Sequence, residues 1–188
     1  MPYSKLIFVD SDGTCRSAMS KMIMKSKFLL TPVRIESRGL VVLFPDPLDA
    51  KACAALKACG YNTENCQAQQ LEQKDIGDDV LLLTMEERQK QKIWEQFEHA
   101  RNVYTLAEFI RYTGDILPLY GEPVESYEEW IRTMEQLLDE LVIRLNEQAI
   151  HAKAADMQRE KQQEVQQETQ SEEVLKDDGK ENRLSDLG

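Results

Sequence analysis

Four apolar runs punctuate the chain at Leu6 to Val9, Leu40 to Phe44, Val80 to Leu83 and, more briefly, Asn102 to Tyr104. They are near-continuous rather than alternating, the pattern of strands covered on both faces. Between them the apolar positions recur at helical spacing. Ala18 to Phe28 carries Met19, Met22, Ile23 and Phe28; Asp49 to Cys59 follows the second run; Glu86 to Phe97 carries Ile93, Trp94 and Phe97. Strands and helices in alternation predict a parallel sheet with right-handed crossovers. The expected fold class is α/β, a doubly wound four-stranded parallel sheet with helices on both faces.

Helix starts are predicted where a hydroxyl can accept an orphan backbone N–H and a carboxylate three residues later can reciprocate. Thr84 with Glu87, Thr105 with Glu108 and Ser126 with Glu129 have this capping-box spacing. From Ser126 onward, Tyr127, Trp130, Ile131, Met134, Leu137, Leu138, Leu141, Val142 and Leu145 recur at steps of three and four. Such a stripe packs on a sheet. After Asn146 the chain turns to Gln, Glu and Lys, with few large apolar residues. Residues 1–147 are therefore expected to form the domain. Residues 148–188 are expected to be an acidic C-terminal tail, a helical extension at first and mobile from Lys176 to Gly188.

Composition narrows the function classes. The chain has 188 residues, 41% of them apolar, a net charge of −11 and a pI near 4.8, enough for one ordinary core. No Lys/Arg block stands out, which argues against nucleic acid as a partner. No apolar run approaches the roughly 20 residues of a membrane span, and the N-terminus lacks a signal-peptide pattern. No membrane partner is expected, and the expected location is cytoplasmic. Cys15, Cys53, Cys59 and Cys66 form no Cys-x-x-Cys pair and only His99 and His151 could supplement them, so no metal site is expected. Cys53 and Cys59 read as small structural thiols on a helix.

The candidate chemistry lies between the first strand and the first helix. Asp10 to Arg16 reads Asp-Ser-Asp-Gly-Thr-Cys-Arg and is followed by Ser17. A strand that turns through small residues into a helix N-terminus aims free N–H groups and the positive end of the helix dipole at one point. Ser11, Asp12, Gly13, Thr14, Cys15, Arg16 and Ser17 are thus candidate phosphate-binding positions. Arg16 adds a planar fork of donors. Asp10 is the unusual residue, because its carboxylate stands where a bound anion would sit. It either performs chemistry there or blocks it, and Asp10 and Arg16 are the candidate catalytic pair.

The stretch Val9 to Ala18 resembles the signature of the low-molecular-weight protein tyrosine phosphatases, Val-Cys-x-Gly-Asn-x-Cys-Arg-Ser-Pro. Cys15, Arg16 and Ser17 match, whereas Asp10 stands for the first Cys and Ala18 for the Pro. Further segments resemble the family in order and spacing: Ser37 to Leu40, Gly60 to Asn62, Ala68 to Leu71, Asp79 to Met85 and Tyr104 to Glu108. The likeness covers about residues 4 to 146. The family's late segment, Asp-Ile-x-Asp-Pro-Tyr-Gly, is similar to Asp115 to Gly121, with Pro118 at the position of the general acid.

The resemblance implies a thiolate nucleophile and a general-acid Asp, and this chain matches neither. The implied protein is a catalytically impaired phosphatase-family member that binds phosphate groups or a protein partner, such as a phosphorylated protein, with Asp10 accepting the loop amides and pairing with Arg16. No cofactor is implied. Two alternatives keep catalysis. Asp-x-Asp-Gly-Thr after a strand also resembles the first motif of the haloacid dehalogenase superfamily, which implies Asp10 as nucleophile, Asp12 as acid/base and Mg²⁺ as the screening ion. In the other, Cys15 substitutes as nucleophile.

Overall fold

The computed structural model describes residues 3–64 and 66–184. Two compact units divide the chain, Met1–Ala149 and Ile150–Gly188. In the first, four parallel strands, β1 (Lys5–Asp10), β2 (Arg34–Gly39), β3 (Val80–Thr84) and β4 (Val103–Thr105), lie in the order β2-β1-β3-β4. Helices α1 (Arg16–Lys25), α2 (Ala50–Ala58), α3 (Glu87–Gln96), α4 (Leu106–Ile110) and α5 (Val124–Leu184) complete the described elements, with one 3-10 turn at Gln73–Asp75.

The continuous apolar runs are explained by the two cores. Leu6 and Phe8 of β1, with Leu81 and Leu83 of β3, pack with residues of α1, α2 and α5. Ile7 and Val9, with Val80 and Leu82, point to the other face, where Ile93 of α3 meets them. Period-two alternation sends successive side chains to opposite faces, so a strand buried on both faces must be apolar throughout. Phe8 is fully buried, and Phe8→Ala should cost about 3–5 kcal/mol. The stripe from Tyr127 to Leu145 packs into the first core, with Trp130 and Val142 at its margin.

Several sequence expectations need correction. The second strand is Arg34–Gly39, not Leu40 to Phe44. It is an edge strand, and its charged positions are held by ion pairs of Arg38 with Asp75 at 2.9 Å and with Glu36. Beyond it Leu40 is buried, while Val41, Leu43 and Phe44 are exposed. Phe28 lies past the end of α1 and Trp94 on the outer side of α3, both exposed, the latter beneath the Lys90 ammonium.

The cap of α3 is Glu86 with Gln89, whose side-chain oxygen accepts from the N–H groups of Met85 and Glu86 at 3.0 Å. Thr84 stays in the strand and donates to the Glu86 carbonyl. The Thr105–Glu108 box is present as expected. Helix α5 begins at Val124, so Ser126 lies inside it. In the second unit the helix runs to Leu184; residues 185–188 of the expected mobile end lie outside the described residues.

Candidate functional site

The loop between β1 and α1 is built around the Asp10 carboxylate. One oxygen, Oδ1, accepts the Gly13 N–H at 2.6 Å and the other, Oδ2, accepts the Ser17 N–H at 2.9 Å. Cys15, the N-cap of α1, provides no side-chain cap, so Asp10 serves an orphan donor of that helix from across the loop. Asp12 closes its own turn: Oδ1 accepts from the Thr14 N–H at 2.8 Å and hydroxyl at 2.7 Å. Two glycines make the packing possible. Gly13 has φ +79°, and a Cβ on Gly39 would come within 2.4 Å of the Asp12 carbonyl carbon, so the end of β2 can pass under the loop only without a side chain.

Arg16 is buried, as is its partner. Its Nη1 lies 2.7 Å from Glu86 Oε1 and donates to the Ile116 carbonyl at 2.6 Å. The expected pairing of Arg16 with Asp10 is therefore replaced by one with Glu86, which projects from the turn after β3, the strand next to β1. The Ile116 contact also anchors the segment that covers the loop. Ile116 N–H donates to the Met85 carbonyl at 2.8 Å, Glu87 N–H to Asp115 Oδ1 at 3.0 Å, and the Tyr127 hydroxyl to the Leu119 carbonyl at 3.1 Å. These bonds hold Pro118 over the loop.

Between loop and cover lies a cleft of about 200 Å³, lined by Asp10, Asp12, Asp49, Cys15, Pro118 and Tyr120 among others. Three carboxylates and one guanidinium thus face one small space. Burial pushes the Asp10 carboxyl above its ordinary value, with Asp12 adding to the rise, while the amides of Ser17 and Gly13 and the charge of Arg16 oppose it. The Cys15 thiol is pushed up to about 12 by burial and by the carboxylates of Asp10 and Asp49. Such a thiol holds its proton at neutral pH. Burial also works against Glu86, but Arg16 and Arg88 hold its carboxyl below the usual value.

Comparison with known proteins places this architecture. The model of the family "Low molecular weight phosphotyrosine protein phosphatase" matches residues 5–176. The chain belongs to that family. Relatives within it differ in substrate. A protein-arginine-phosphatase of Geobacillus stearothermophilus is 31% identical over 77% of this chain and 97% of its own length. A low molecular weight protein-tyrosine-phosphatase, PtpB, of Staphylococcus haemolyticus is 29% identical over 71% of this chain and 92% of its own. The solved YwlE arginine phosphatase from Geobacillus stearothermophilus superposes with a TM-score of 0.73 at 28% identity, covering 80% of this chain and 97% of that one.

The family's fold thus brings together most of the residues that the sequence singled out. Asp10, Ser11, Asp12, Thr14, Cys15 and Arg16 line the cleft, while Gly13 and Ser17 contribute backbone N–H groups to Asp10. Sequence reasoning missed Glu86, Asp49 and Gln89. Asp49 caps α2 by accepting the Ala52 N–H at 2.9 Å, and Gln89 reaches the Ser11 hydroxyl at 3.2 Å. The available signal was positional. A carboxylate just past the end of the strand that pairs with β1 stands beside the site in an open parallel sheet.

Proposed function

We propose that this family member is a pseudophosphatase: it does not hydrolyse phosphate monoesters at an enzymatic rate, and it acts as a binding or regulatory module for a protein partner. The carrying observation is the bonding of Asp10, whose two oxygens take the Gly13 and Ser17 amides from inside the loop. An anion that displaced Asp10 from those donors would have to leave it buried and unpaired, at a cost of several kcal/mol. The resemblance puts a nucleophilic thiolate at the place of Asp10 and a general acid at that of Pro118. Pro118 carries no proton to donate.

The catalytic alternatives draw little support from the geometry. For the aspartate mechanism, both Asp10 oxygens and one of Asp12 are already bonded to loop donors. For the cysteine mechanism, the thiol of Cys15 holds its proton. The relatives named for phosphotyrosine and phosphoarginine hydrolysis act on phosphorylated proteins, and a protein partner is what we carry over to this chain. Among the described residues, no helix is long and apolar enough to cross a membrane; a cytoplasmic location is part of the same proposal.

The test is hydrolysis of an aryl phosphate and of phosphoarginine by the purified protein, in Mg²⁺ and in EDTA, with Asp10→Asn as control. The expected result is a rate no higher than that of the control. Turnover within roughly 1 to 10³ per second that disappears in Asp10→Asn or Cys15→Ser would overturn the proposal.

A further inference from the structure

Resting on the reading that the loop is not catalytic, we infer that the cleft receives an unphosphorylated basic side chain, a Lys or Arg that a partner protein presents between apolar neighbours. At about 200 Å³ the cleft is smaller than the roughly 300–1,000 Å³ of small-molecule sites, which suits a single side chain. Its charge selects the sign. Asp10, Asp12 and Asp49 line it, and Arg16, the one cation among the described lining residues, is compensated at 2.7 Å by Glu86.

Asp12 and Asp49 each spend Oδ1 on a local N–H, and a carboxylate retains acceptor capacity beyond one such bond. A guanidinium or ammonium entering between them would meet partners; a phosphate dianion would meet repulsion. The walls match the rest of such a side chain, since Pro118, Leu119 and Tyr127 offer apolar and aromatic surface to its methylene stem.

The surroundings supply the docking area. The loop after β2 lies against the site loop through N–H groups of Leu40 and Val41, which donate to the Asp10 and Ser11 carbonyls at 3.0 and 2.9 Å. It exposes Val41, Leu43 and Phe44, and the covering segment exposes Leu117 and Tyr120, the last at 97%. Large apolar side chains held out to solvent on the segments that adjoin one acidic cleft mark an interaction surface. The exposed apolar side chains and the acidic lining together define a partner segment with a basic residue at its centre and apolar residues beside it. The negative field is also felt by two groups that line the cleft: after burial, Asp10 and Asp49 are the main causes of the raised Cys15 thiol, and Asp49 contributes to the raised Tyr127 phenol.

The experiment is an amide-resolved NMR titration of the full chain with the acetylated, amidated pentapeptide Ala-Leu-Arg-Leu-Ala. The same peptide with Lys or Glu at its centre, and inorganic phosphate, serve as comparators. Saturable shifts at Asp12, Thr14 and Tyr120 are expected with the Arg or Lys peptide and not with the Glu peptide or phosphate. Asp12→Asn keeps the acceptor that closes the turn and should weaken the response about fivefold. Leu43→Ser with Phe44→Ser, both exposed in the native chain, should weaken it without loss of the folded spectrum. The inference is overturned if neither basic peptide shifts these amides, or if phosphate shifts them more strongly. A protein that ignores the basic peptides and still fails to hydrolyse aryl phosphate removes this inference alone; one that turns over aryl phosphate at an enzymatic rate removes the pseudophosphatase reading as well.

Discussion

Replacing Asp10 separates its two contributions, acceptor and charge. Asp10→Ala removes the acceptor for the Gly13 and Ser17 amides, leaving two buried donors unpaired at about 1–3 kcal/mol each, or roughly 2–6 kcal/mol together. Asp10→Asn keeps one acceptor oxygen and removes a buried charge, so the two effects offset and its stability should lie within about 1 kcal/mol of the native protein or above it.

The pH dependence has a defined sign. Because burial raises the Asp10 carboxyl above its ordinary 3.8, its stabilising contribution is fully present below that value. It is lost as pH rises through the folded-state value. Asp10→Asn should therefore gain on the native protein from acid toward neutral pH. Urea unfolding of the three proteins at pH 4 and pH 7 measures both effects. Equal stability of the Ala and Asn variants, or a native protein that gains on Asn with rising pH, would show that Asp10 is neither the acceptor for these amides nor a carboxylate strained by burial.

Glu86→Gln should cost about 3–5 kcal/mol, because it leaves the buried Arg16 guanidinium without its counter-charge. Since Arg16 and Arg88 hold the Glu86 carboxyl below its ordinary 4.5 against burial, the native advantage is present above that value and fades as pH falls through the depressed one; acid unfolding curves of the pair report it. Cys15, with its thiol near 12, should carry only about one thiolate in 10⁴ at pH 8 and resist iodoacetamide, as mass spectrometry of the alkylated protein would record. Asp10→Cys should hydrolyse an aryl phosphate slowly, and adding Pro118→Asp should raise the rate about 10²-fold by restoring a proton donor, read in a steady-state assay.

The fold was legible where burial is symmetrical. β1 and β3 bury both faces, so their runs of Leu, Ile and Val could mean little else. β2 was not, because at the sheet edge Arg34, Glu36 and Arg38 are satisfied by ion pairs that include Asp75, and no local pattern announces a partner that distant. The neighbouring apolar run, Leu40 to Phe44, carries the strand-like pattern instead. Its exposed side chains Val41, Leu43 and Phe44 are the ones that the docking surface uses, so the conflict between pattern and structure falls beside the site.

The same division holds within the loop. That Asp10 accepts loop amides follows from local geometry, since a carboxylate at a strand end faces the N-terminus of the next helix. The expected Arg16–Asp10 pair joins neighbours within one loop, whereas Glu86 reaches Arg16 only through the pairing of β1 with β3. Thr84 illustrates competition at a cap. Its hydroxyl bonds the Glu86 carbonyl from within the strand, leaving the helix start to Glu86 and Gln89.

The most direct test of the claim that Asp10 fills the phosphate loop is inorganic phosphate binding to the native protein and to Asp10→Asn, followed at the Gly13 and Ser17 amides by NMR. Phosphate should leave both amides unmoved in the native protein and shift them saturably in the variant. Saturable shifts in the native protein, with no gain in Asp10→Asn, would mean that Asp10 does not occupy the anion position.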